Sequence, residues 1–130
     1  MLIGSTSLFL QEYPVKPNDI DILCPAAEAQ QIEHLLNAYR LQPDVNISRD
    51  KFRSVFSNYI IDDVKAEVMG DLEVNTPTGW VKILAEIGQP ESVFIDEYEF
   101  NVPSRADQLV IYNFFDRKKD DPILQMLKLE

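Results

Sequence analysis

Apolar residues fall along this chain in short, interrupted groups. Met1-Leu2-Ile3 stops at Gly4-Ser5, which predicts a strand end meeting a tight turn. Residues 5–11 carry Leu8, Phe9 and Leu10 and predict a short helix, and Pro14 and Pro17 break whatever precedes them. Asp19-Ile20-Asp21-Ile22-Leu23 alternates with period two, which is a strand pattern. Pro25 suits the first turn of a helix, and Ala29, Ile32, Leu36 and Tyr39 keep helical spacing through Arg40. Residues 41–49 read as a short strand and connection. Residues 51–61 and 64–69 predict two strands joined by Asp62-Asp63, the second ending at Gly70-Asp71. In that second run Val64, Ala66 and Val68 share one face, and Lys65, Glu67 and Met69 the other.

The remainder is more mixed. Residues 74–92 fit strand or helix around the turn Thr76-Pro77-Thr78-Gly79, and residues 93–102 read as one strand. Ser104 with Asp107 resembles a capping box, followed by a helix whose apolar face carries Leu109, Tyr112 and Phe115. Arg117-Lys118-Lys119 would close its last turn, where positive charge suits the helix dipole. Asp121 as N-cap and Pro122 at the first position open a final helix with Ile123, Leu124 and Leu127. Intermixed strands and helices predict one α/β (α+β) domain.

Composition narrows the functional classes. The chain has 130 residues and a formal net charge of −10. That field argues against a nucleic-acid backbone as main partner, unless acids hold metal ions of opposite charge. No apolar run is long enough to span a bilayer, and the N-terminus has no signal-peptide character. Cys24 and His34 are the sole residues of their types, so no disulfide or Cys/His zinc set arises within the chain. A reducing, cytoplasmic location is the simple expectation. Cys24 reads as a small core filler and His34 as a helix-surface residue.

Three features carry chemistry. Asp19 and Asp21, two apart on a strand, project from one face. Adjacent carboxylates repel unless a cation sits between them, and Mg²⁺ held by carboxylates and substrate phosphates would supply it. Glu67 could add a third ligand or act as a general base. Gly4 lets the backbone approach a phosphate, and Ser5 adds a hydroxyl and an N–H. Each piece alone reads as an ordinary turn or solvated strand face; the order and spacing are what make the set specific.

That order resembles the nucleotidyltransferase superfamily, the polymerase-β-like fold. The family carries Gly-Gly or Gly-Ser, an intervening stretch, and then Asp-hydrophobic-Asp-hydrophobic. Here Leu2-Ile3-Gly4-Ser5 is followed by the thirteen residues 6–18 and by Asp19-Ile20-Asp21-Ile22-Leu23. Val64-Lys65-Ala66-Glu67-Val68-Met69-Gly70 looks like the strand bearing the family's third acid, and Arg117-Lys118-Lys119-Asp120 like the basic-Lys-Asp motif of small bacterial members. Those members include aminoglycoside- and lincosamide-modifying enzymes and toxin–antitoxin transferases.

The resemblance implies a nucleotidyltransferase-like mixed sheet flanked by helices, as a single domain over residues 1–130. Its leading helix is missing, so either the domain is abbreviated at the N-terminus or the true start lies upstream. It implies transfer of a nucleoside monophosphate from an NTP such as ATP to a hydroxyl of a small molecule or protein, with Mg²⁺ or Mn²⁺ as cofactor. Gly4, Ser5 and Lys16 would contact the nucleotide; Asp19, Asp21 and Glu67 would be the metal ligands and catalytic acids. Arg53 and Lys119 are further candidates for phosphate contact. Pro17 stands where many relatives have Thr or Ser, and no large helical domain follows to choose an acceptor. Two other readings stay open: a non-catalytic nucleotide-binding or regulatory module, and an acidic interaction domain. A homodimer through an exposed sheet edge is also compatible with the sequence.

Overall fold

A computed structural model describes residues 1–41 and 50–129. The strand and connection expected at 41–49 lie outside them, apart from Leu41, whose N–H donates to the Asn58 carbonyl at 2.9 Å. In chain order the elements are β1 (Leu2–Ile3), α1 (Gly4–Leu10), β2 (Ile20–Cys24), α2 (Ala26–Leu35), β3 (Phe52–Ile61), β4 (Val64–Thr76), β5 (Gly79–Lys82), β6 (Glu91–Ile95), β7 (Tyr98–Val102), α3 (Arg105–Phe115) and α4 (Asp121–Lys128). The main sheet runs β1-β2-β4-β3, with β5 also paired to β4. Among the described strands only β2 and β4 pair in parallel; the other pairs are antiparallel. This is the mixed α+β arrangement read from the sequence.

The sheet is covered on both sides. Cys24, Ala29, Tyr59, Ala66 and Val68 form a cluster under α2. Burial pushes the Cys24 thiol up from its usual pKa, as suits a core filler. On the opposite side Ile3, Leu8, Leu23, Leu72, Val74, Ile111, Tyr112, Phe115 and Leu127 join the sheet to α1, α3 and α4.

One irregularity lets β4 serve both layers. Ala66 and Val68 face α2, whereas Leu72 and Val74 belong to the other cluster, although strict alternation would keep all four on one side. Asp71 has φ +49°, and Asp71 and Leu72 together oppose the single Ser54 between the pairs Val55↔Gly70 and Arg53↔Glu73. This is a β-bulge, which inserts one residue and reverses which side faces in. At the preceding position a Cβ on Gly70 would lie 2.6 Å from the Ala29 Cβ, so α2 can pack this closely only over glycine.

Several boundaries differ from the sequence reading. β4 does not end at Gly70-Asp71 but runs to Thr76 through the bulge. The run 93–102 is a hairpin, broken where Asp96 takes φ +54°. The ambiguous stretch after Gly79 is β5 followed by a short 3-10 turn, Ile83–Ala85. α2 stops at Leu35 rather than Arg40, with Pro25 as its N-cap and a 3-10 turn at Asn37–Tyr39. α3 is capped as expected, its Ser104 hydroxyl accepting from the Asp107 N–H at 3.1 Å. It ends at Phe115, where Asp116 turns left-handed (φ +47°), so Arg117-Lys118-Lys119 do not close that helix. Asp120 holds the N-cap position of α4, which moves Asp121 and Pro122 one place inward.

Candidate functional site

The parallel pairing of β2 with β4 sets the centre of the site. Asp21 and Glu67 are direct register partners, on neighbouring strands about 4.8 Å apart. Their face is the one carrying Leu23 and Met69, towards α1, α3 and α4. The residue opposite Glu67 on β3 is Asn58, which is buried. A polar row of Asp21, Glu67 and Asn58 thus crosses three strands, beside an apolar row of Leu23, Met69 and Phe56. Asp19 lies in a bend just before β2, close enough for its charge to act on Asp21.

The start of α1 closes against Asp21. Gly4 has φ +72°, and a Cβ there would sit 2.6 Å from Asp21 Oδ2, so no side chain fits between them. The Ser7 hydroxyl donates to the Gly4 carbonyl at 2.7 Å, and the buried Gln108 of α3 donates to Ser7 Oγ at 2.9 Å. The Thr6 hydroxyl donates to the Asp19 carbonyl at 2.7 Å, and the Asn18 N–H donates to Ser5 Oγ at 3.1 Å. These bonds tie the Gly4-Ser5 turn to the loop that delivers Asp19.

Electrostatics marks the same place. The Asp21 carboxyl is pushed up to about 6, first by burial, then by the charges of Glu67 and Asp19. Two cations partly offset this, Arg117 and Lys65. Lys65 Nζ lies 3.3 Å from Glu67 Oε1. Arg117 is fixed from behind, its Nε donating to Asp120 Oδ2 at 2.6 Å and its guanidinium 4.8 Å from the Phe115 ring centroid. Asp120 is only 4% exposed. Tyr112 shares this corner, and burial together with Asp120 and Asp21 pushes its hydroxyl up to about 12.

Not every candidate converges here. Gly4, Asp19, Asp21 and Glu67 come together, with Ser5 at the adjoining turn. Lys16 is exposed on the loop between α1 and β2. Lys119 is exposed in the 3-10 turn before α4. Arg53 is engaged elsewhere: its guanidinium donates to both carboxylate oxygens of Glu73, at 3.2 and 3.0 Å, and lies 4.1 Å from the Trp80 ring centroid. Lys65 and Arg117 are the cations that sequence reasoning passed over. Lys65 was legible, because it stands two residues from Glu67 on one strand face. Arg117 belongs to the basic-Lys-Asp motif, but its direction depends on the turn at Asp116.

The carboxylates also bear on metal binding. Two paired acids plus a third nearby suit a hard divalent cation, which would relieve the strain on Asp21. Among the described residues no group of three or more His, Cys, Asp or Glu is arranged to hold a metal ion.

A solved structure decides the fold. A Thermotoga maritima protein provisionally described as a nucleotidyltransferase superposes with a TM-score of 0.76 at 27% identity, over 96% of this chain and 78% of that one. The fold is nucleotidyltransferase-like. The likeness supports the nucleotidyltransferase superfamily without selecting among its antibiotic-modifying and toxin–antitoxin branches. No protein-family model matches the sequence, and no curated protein matches it. Among the described residues no helix is long and apolar enough to cross a membrane.

Proposed function

We propose that this protein is a Mg²⁺-dependent nucleotidyltransferase that moves a nucleoside monophosphate from an NTP, such as ATP, to a hydroxyl of a small molecule or protein. The observation that carries the reading is the placement of Asp21 opposite Glu67, with a glycine the sole residue that fits beside Asp21. Asp19, Asp21 and Glu67 would hold the divalent cation. That ion, when bound, would neutralise phosphate charge and acidify the acceptor hydroxyl.

The chain's own residues do the rest. Gly4 leaves backbone open to the triphosphate, and Ser5 offers its hydroxyl at the same turn. Arg117, braced by Asp120, presents fixed positive charge on the Asp21 side, where charge on the phosphates needs compensation. The acceptor oxygen attacks the α-phosphorus and the bond to the β-phosphate oxygen breaks. Pyrophosphate leaves, and the hydroxyl proton passes to a base, for which Glu67 is the candidate.

Labelled NTPs, Mg²⁺ or Mn²⁺ and a panel of hydroxyl acceptors test this, with an Asp19→Asn/Asp21→Asn variant run alongside. Metal-dependent product from the wild type alone is expected; equal product from both proteins would overturn the assignment. A second reading, a module that binds nucleotide without turning it over, is favoured by one observation, the ion pair in which Lys65 Nζ lies 3.3 Å from Glu67 Oε1 and already neutralises the third acid. Calorimetry separates the two, because that module would show metal-dependent NTP binding with no product from any acceptor.

A further inference from the structure

The β6–β7 hairpin stands apart in its chemistry. Its register places Val93, Ile95, Tyr98, Phe100 and Val102 on one face, with Glu91 at the end opposite Val102. That face starts buried, with Val102 at 0% exposure, and opens progressively to Phe100 at 36%, Ile95 at 43% and Tyr98 at 63%. Along β6 an open groove of roughly 490 Å³ runs between residues 92–95 and the end of α1, lined by Phe9, Leu10, Val93, Phe94 and Ile95 together with the polar Gln11, Glu12 and Ser92. β6 pairs with β7 alone, so its outer backbone edge is unpaired among the described strands. Two strands are marginal by themselves, and an apolar strip of this kind is ordinarily covered.

The charge around the strip says what covers it. Residues 83–104 hold five acids (Glu86, Glu91, Asp96, Glu97, Glu99) and no Lys or Arg, which is half of the net charge of −10. Two copies meeting through this face would bring carboxylates against carboxylates, and such like-charge juxtaposition is unfavourable. An anionic membrane or nucleic acid is disfavoured for the same reason. An apolar strip with Glu91 at one end and Asp96 and Glu97 in the turn at the other complements an apolar segment bearing Lys or Arg, and a free strand edge is suited to receive it as an added strand.

We propose that the β6–β7 hairpin is a docking face for a basic, apolar extended segment of another protein. The inference stands independently of catalysis, since it uses none of the acids on β2 and β4.

The test uses the full chain and fluorescence anisotropy with a short labelled peptide alternating valine and lysine. Two comparison peptides replace lysine by glutamate or valine by serine. Binding of the valine–lysine peptide alone is expected. Ile95→Ser/Tyr98→Ser should weaken it at least about tenfold, and Glu91→Gln/Glu97→Gln several-fold and in a salt-dependent way. Glu28→Gln/Asp63→Asn, which removes equal charge elsewhere on the surface, should leave it unchanged. No binding, equal binding of the glutamate peptide, or equal losses in the control variant would overturn the proposal. So would a wild-type dimer that Ile95→Ser/Tyr98→Ser converts to monomer, since the face would then be covered by a second copy.

Discussion

The acids of the β2–β4 face and those of the β6–β7 hairpin are the same two residue types in opposite circumstances. Asp21 is half-buried, in register with Glu67 and close to Asp19, and its carboxyl is pushed up to about 6 by burial and by those neighbours. Glu91, Asp96, Glu97 and Glu99 are exposed to solvent, where water screens each from the next. Crowded and desolvated, carboxylates cost folding energy and invite a cation; spread over a hairpin, they cost little and act through their collective field. Net charge alone does not separate these roles. Burial and register do.

If the β2–β4 face is built for ligand rather than for stability, its tightest fit should be its most sensitive point. Gly4→Ala forces a Cβ into a left-handed backbone and against Asp21 Oδ2 at 2.6 Å. The expected loss is about 3 kcal/mol, combining the backbone strain with the clash. Urea unfolding measures it, and an unchanged midpoint would show that the turn relaxes freely. A second substitution probes the bracing of the site. Arg117→Ala strands the Asp120 carboxylate, 4% exposed, without its cation and removes a positive neighbour of Asp21. Because Arg117 is itself partly exposed, the expected cost is about 2 kcal/mol, below that of breaking a fully buried pair. Arg117→Lys should recover only part of it, since lysine cannot reproduce the guanidinium's donation to Asp120 together with its stacking on Phe115.

Asp21 itself should behave in the opposite sense. Its pKa is raised in the folded state, from 3.8 to about 6. The fold therefore favours the protonated form. The stability this group contributes is complete below about pH 3.8 and is lost as pH rises through about 6. Without divalent metal, Asp21→Asn should stabilise the chain at pH 7.5 by about 1–2 kcal/mol, discounted for partial solvent exposure, and by nothing near pH 3.5. Thermal melts across that range read the difference directly. Under the proposed function, Mg²⁺ should narrow the gap at pH 7.5 by stabilising the wild type alone.

The acids at the centre were legible because their placement is local. Period-two alternation grouped Asp21 with Asp19 and Glu67 with Lys65, and parallel pairing then brought Asp21 to Glu67, although β2 begins only at Ile20 and Asp19 lies in the bend before it. What the sequence hid was backbone conformation. Asp62, Asp63, Asp71, Asp96 and Asp116 all adopt positive φ in a chain with only four glycines. Aspartate tolerates that region better than most side chains, so part of the acid excess has a backbone role. Asp62-Asp63 makes a turn, as expected, whereas Asp71 makes a bulge inside a strand that continues. Nothing local distinguishes them. The difference is tertiary, because β3 and β5 keep pairing with β4 beyond Asp71. Asp96 breaks the run 93–102 without the glycine that would have announced a hairpin, and Asp116 redirects the chain so that Arg117 reaches the site.

The smallest expected effect belongs to the hairpin. Glu91→Gln/Glu97→Gln removes two charges from a surface where both side chains are exposed, so folding should not register the change. Thermal and urea unfolding should differ from wild type by less than about 0.5 kcal/mol, the ordinary range for surface substitutions. Unlike the Asp21→Asn gain, the difference should not grow between pH 3.5 and pH 7.5. A clear pH-dependent stabilisation would mean that the hairpin carboxylates are crowded too, against their exposure in the isolated chain. They would then resemble the β2–β4 acids, held close at a folding cost for the sake of something that binds there.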